Sequence, residues 1–87
     1  MKKVTLFGSP LWPQCGPVKE LFTENGIEFD YVDMTASMAS LRAFLKYRDS
    51  SPAFDEVRAR GAVGVPCTVI NDGEQVIIGT PDVATLK

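Results

Sequence analysis

The sequence predicts an α/β domain: a four-stranded mixed sheet flanked by helices, in the order β-α-β-α-α-β-β-α. Three observations lead there. Val4-Thr5-Leu6-Phe7 is a short apolar strand, and the amphipathic helix and alternating segment after it form the pattern of a right-handed βαβ unit. Two more helical stretches follow with no strand between them. Then two apolar runs flank Asn71-Asp72-Gly73-Glu74, the signature of an antiparallel hairpin. Residues 1–87 are expected to form one domain, since the chain shows no repeats, linkers or low-complexity stretches.

Each element has a local reason. Gly8-Ser9-Pro10 closes the first strand, and the next helix cannot start much before Pro13, because Pro17 is tolerated only in the first turn. Val18, Leu21 and Phe22 make its apolar stripe, with Lys19, Glu20 and Glu24 outside, and Asn25-Gly26 ends it. Ile27, Phe29 and Tyr31 alternate with Glu28 and Asp30, as in an edge strand half open to water. Thr35-Ala36-Ser37 offers caps for a helix with Met38, Leu41, Phe44 and Leu45 inward. Asp49-Ser50-Ser51-Pro52 interrupts it, and Ser51 with Pro52 restarts a short helix that buries Phe54 and Val57. Gly61 and Gly64 flank a loop into Val65-Pro66, which precedes the hairpin Cys67–Ile70 and Val76–Ile78. Thr80 as cap and Pro81 as first helical residue begin a last short helix.

Bulk properties narrow the function. A net charge of −2 argues against nucleic acid as a partner, which requires a basic excess. No apolar run reaches the ~18–20 residues that span a bilayer, and the N-terminus lacks a signal-peptide pattern, so a cytoplasmic, monomeric protein without membrane contact is expected. Two cysteines do not make a disulfide scaffold, and with no histidine a metal site is not expected. Cys67, in an apolar strand, reads as a small buried group.

Cys15 stands apart because of its company, Ser9-Pro10-Leu11-Trp12-Pro13-Gln14-Cys15-Gly16-Pro17-Val18-Lys19. A thiol at a strand-to-helix junction meets unpaired N–H groups and the helix dipole, which favour thiolate and suit thiol–disulfide exchange. In a reducing compartment a lone exposed thiol beside a helix start, as Cys15 is expected to be, reads as reactive and not structural. A Cys-x-x-Cys pair, however, would need its partner at position 12 or 18, where Trp12 and Val18 stand.

These residues resemble a glutaredoxin, within the thioredoxin fold. Three segments carry the resemblance: Leu6 to Phe22 around the active site, Val65-Pro66, and Gly79-Thr80-Pro81-Asp82. The second resembles the Thr-Val-Pro whose cis-proline faces the active site. The third resembles the Gly-Gly-Cys-Asp-Asp turn that holds the γ-glutamyl end of glutathione, although Thr80 and Asp82 are also ordinary helix-start residues. The resemblance implies a thiol–disulfide oxidoreductase with glutathione as co-substrate and no permanently bound cofactor. Pro13, Gln14, Val65, Pro66, Gly79, Thr80 and Asp82 would bind substrate, Val65 offering its backbone to an extended glutathione or peptide strand.

Two registers compete at the motif. In the glutaredoxin register, Trp12-Pro13-Gln14-Cys15 overlies Cys-Pro-Tyr-Cys, so that Trp12 takes the place of the nucleophile and Cys15 that of the shielded resolving thiol. In a thioredoxin-like register, Cys15-Gly16-Pro17-Val18 overlies Cys-Gly-Pro-Cys, making Cys15 the nucleophile. The first needs no insertion from Phe7 to the second strand and is preferred. It implies impaired exchange, because the usual cycle starts at the first cysteine. A non-catalytic module binding glutathione or peptide is the alternative, and an electron donor to a reductase is another.

The resemblance has further departures. Ser9 stands where glutaredoxins often carry a lysine for the glycine carboxylate of glutathione. Arg42, Lys46, Arg48, Arg58 and Arg60 could replace that lysine, but read more simply as a solvated face balanced by Asp49, Asp55 and Glu56. Because the cis-proline loop abuts the active-site helix in this fold, a Cys15–Cys67 pair is conceivable.

Overall fold

The computed structural model describes residues 3–86. Strand β1 (Val4–Gly8) lies inside the sheet, with β2 (Asp30–Asp33) parallel on one side and β3 (Cys67–Ile70) antiparallel on the other; β4 (Gln75–Ile78) completes the order β2-β1-β3-β4. Helix α1 (Cys15–Glu24) crosses from β1 to β2, giving the expected βαβ unit. Helices α2 (Met38–Ser50) and α3 (Asp55–Ala59) follow, joined by a 3-10 turn over Pro52–Phe54.

Alternation along β1 sends Val4 and Leu6 to one face of the sheet and Phe7 to the other. On the first face they pack with Val18 and Phe22 of α1, Ile27, Ile70 and Leu86. On the second, Phe7, Cys67 and Val69 pack with Phe44, Phe54, Val57 and Val65. Cys15 joins this second group although it opens α1, because it sits at the end of β1 above Gly8. A Cβ on Gly8 would stand 2.9 Å from the Cys15 sulfur, so the bare glycine makes room for the thiol.

Local stop signals act as expected. Gly26 takes φ 68°, and the bonds Gly26 N–H to Thr23 O and Ile27 N–H to Phe22 O (3.2 and 3.0 Å) close α1 in a Schellman turn. Ser37 caps α2 by accepting from Ser40 N–H, and Ser51 caps the 3-10 turn by accepting from Ala53 N–H.

Four expectations need correction. β2 runs from Asp30 to Asp33 and excludes Ile27 and Phe29; Phe29 instead meets Phe22 edge to face at 5.1 Å. Met38 is 65% exposed, because the members of α2 packed on the core (Phe44, Leu45 and Tyr47) lie in later turns. The final helix is a 3-10 turn over Val83–Thr85 capped by Asp82, whose carboxylate accepts from Ala84 N–H; Thr80 lies outside it and Pro81 is buried before it. The basic residues are not all a solvated face. Arg48 donates to the carbonyls of Ala62 (2.6 Å) and Val63 (3.1 Å), and Arg58 donates to those of Arg48 and Ser51 and to Asp55. The Arg48 guanidinium thus holds the loop that leads into Val65-Pro66, and that of Arg58 ties α3 to the end of α2.

Candidate functional site

The segment between β1 and α1 is two tight turns in succession: Trp12 N–H bonds to Ser9 O (3.0 Å) and Cys15 N–H to Trp12 O (3.2 Å). Ser9 anchors them. It is fully buried; its hydroxyl accepts Leu11 N–H (3.2 Å) and lies 3.1 Å from the Thr35 hydroxyl. Thr35 in turn directs both its N–H and its hydroxyl to Asp33 Oδ1. A carboxylate only accepts, so the Thr35 proton goes to Asp33 and the Ser9 hydroxyl donates to Thr35. This chain ties the loop bearing Trp12 to the turn after β2. Met34 N–H to Gly8 O, at 3.0 Å, adds a second tie.

A groove of about 450 Å³ opens beside the thiol, lined by Trp12, Pro13, Cys15, Lys19, Tyr31 and Asp33 among others. Cys15 has the first helical position of α1 and is 1% exposed, so the expectation of an exposed thiol is corrected: it is shielded. The Tyr31 ring also packs on Gly8, with its Cε1 3.3 Å from where a Cβ would stand. Lys19, one turn along α1 from Cys15, places its ammonium 4.1 Å from the centre of that ring, a cation–π contact. Burial, then the Asp33 charge, then Cys15 raise the pKa of the Tyr31 phenol, keeping it a neutral hydroxyl.

The other site residues fall into two groups. Val65 and Pro66 are buried, the peptide bond between them is cis, and Pro66 O accepts Gly79 N–H at 2.8 Å, which ties the Gly79-Thr80 turn to the proline. Val65 shares the apolar cluster of Cys15 and Cys67, and Trp12 packs against it; the two halves therefore meet through the core. Gln14, Thr80 and Asp82 are exposed, and none of them lines the groove beside Cys15. Sequence reasoning missed Lys19, Tyr31 and Asp33. The spacing of Lys19 four residues after Cys15 was a usable signal, since it stacks the two on one helix face.

Cys67 is fully buried between Phe7 and Ile78, and both cysteines are free thiols. Burial pushes the Cys67 thiol up from 9.0 to about 12. Below 9.0 the thiol is protonated whether the chain is folded or not; above it the unfolded chain releases the proton while the fold retains it. Stability therefore falls as pH rises from 9.0 towards about 12. Unfolding free energies from urea titrations at about pH 8 and about pH 10 are expected to differ by at most about 1.4 kcal/mol from this source, and Cys67→Ala to flatten the difference.

Among the described residues, no helix is long and apolar enough to cross a membrane. A model of the glutaredoxin family matches residues 4–76. An uncharacterised protein of Haemophilus influenzae is 31% identical over 87 residues, covering 100% of this chain and 96% of that one. Two solved structures are similar. One is a mutant of the thioredoxin-like protein BC3987, with TM-score 0.68, 26% identity and 97% of each chain covered. The other is the glutaredoxin from Methanosarcina mazei Go1, with TM-score 0.67 and 27% identity over 95% of this chain and 73% of that one.

Proposed function

The chain belongs to the glutaredoxin family as a glutaredoxin-like redox module of thioredoxin-like fold, and on that premise we propose that it exchanges disulfides of glutathione or of proteins through Cys15, at a reduced rate. The observation that carries this reading is the position of Cys15: the first residue of α1, on the wall of a groove, one tight turn after Trp12. In the glutaredoxin register Trp12 fills the place of the attacking thiol, and an indole cannot attack a disulfide. Exchange then falls to Cys15, whose burial slows it. Val65, Pro66, Gly79, Thr80 and Asp82 form the substrate side of this proposal, with Pro13 and Gln14 at the helix start. Glutathione would be a co-substrate and not a resident group.

One observation favours a second reading. A thiol 1% exposed suits a module that keeps its grooves for glutathione or peptide and performs no turnover. Exchange kinetics with oxidised glutathione separate the two. The redox reading expects slow release of reduced glutathione that Cys15→Ser abolishes. Binding without release supports the module, and a rate unchanged in Cys15→Ser rules out Cys15 as the exchanging thiol.

A further inference from the structure

Resting on the redox reading of Cys15, we propose that Lys19 selects the substrate: the groove on the β2 side of Cys15 takes small disulfides that carry a carboxylate. Three observations combine. The groove is lined by Cys15 together with Trp12, Pro13 and Tyr31, so a ligand seated there lies beside that residue. The Lys19 ammonium rests over the Tyr31 ring and, among the described residues, has no carboxylate partner. The only other charge lining the groove, Asp33, already accepts two bonds from Thr35 at one oxygen, which blunts its repulsion of an anion. An ammonium held by a ring face and left without a counter-ion favours an anionic ligand group.

The chemistry balances with the disulfide as oxidant. The Cys15 sulfur attacks one ligand sulfur, the ligand S–S bond breaks, and a Cys15 mixed disulfide forms. The departing half leaves as a thiol, taking the proton that Cys15 gives up. This groove is lined by residues of the segment between β1 and α1, of α1 and of β2, and neither Pro66 nor Gly79 lines it.

The test uses three small disulfides: anionic dithiodipropionate, neutral hydroxyethyl disulfide and cationic cystamine. The rate of Cys15 modification is read by mass spectrometry relative to the urea-unfolded chain, which removes their intrinsic differences. Dithiodipropionate is expected to be the most favoured by the fold. Lys19→Gln should cut that preference roughly three- to tenfold, Lys19→Glu should invert it, and Lys19→Arg should retain it. An undiminished preference in Lys19→Gln overturns the assignment, and so does a parent chain that favours cystamine. Equal rates for all three overturn the role of Lys19 and leave Cys15 exchange standing. Failure of all three to modify Cys15 overturns both.

Discussion

Trp12→Cys is expected to raise the rate at which the chain reduces a small glutathione mixed disulfide by on the order of tenfold or more. Position 12 is half-buried, lines the groove and begins the tight turn whose last residue opens α1. A sulfur there would be more open than Cys15 and would lie near the helix N-terminus, where a thiol ionises more easily. A free thiol of ordinary acidity is only a few per cent thiolate near neutrality, so a lowered pKa enlarges the reactive fraction severalfold, partly offset by weaker nucleophilicity. The second gain is resolution: Cys15, one turn in, could attack a mixed disulfide formed at position 12. Trp12→Ser is the control. It removes the indole without adding a sulfur and is expected to leave the rate low; a gain equal to that of Trp12→Cys would show that ring bulk alone was limiting.

The largest loss of stability is expected from Gly64→Ala. Gly64 has φ 93°, and an added Cβ would stand 2.6 Å from Phe54 Cε1 and 3.1 Å from Val57 Cγ1. Phe54 is fully buried against Phe44 and cannot swing aside. Backbone strain of about 1–3 kcal/mol and overpacking of about 1–3 kcal/mol give a cost of roughly 2–6 kcal/mol. That is a large part of the ~5–15 kcal/mol holding a small domain together. Gly61→Ala provides the comparison, because φ 69° is also left-handed but nothing lies within 4 Å of the new carbon. Its cost is expected near the backbone strain alone, about 1–2 kcal/mol. Urea unfolding of the two variants beside the parent measures the difference. Equal midpoints would mean that Phe54 does not pack on Gly64.

What could be read from the sequence was what neighbours in sequence decide. Asn25-Gly26, Ser51-Pro52 and Asp72-Gly73 act through bonds within a few residues, and each stops or starts an element where expected. Met38 could not be read in this way. It has the right helical phase, but its burial depends on what lies opposite, and it stands 65% exposed. The same division runs through the candidate site. Trp12, Pro13 and Cys15 form one short motif and were found by spacing. Tyr31 and Asp33 reach the groove only because β2 pairs in parallel with β1, setting Tyr31 beside Leu6 and Asp33 beside Gly8. Ser9, which reads as a missing lysine, is a buried anchor whose partner Thr35 comes from the far side of the βαβ unit.

The most direct measurement is a peptide map of the folded chain after incubation with oxidised glutathione, quenched in acid. Glutathione is expected on Cys15, with Cys67 untouched because its thiol is fully buried and ionises only towards about 12. An unmodified Cys15 in a chain that stays folded, or glutathione on Cys67 instead, would contradict the account.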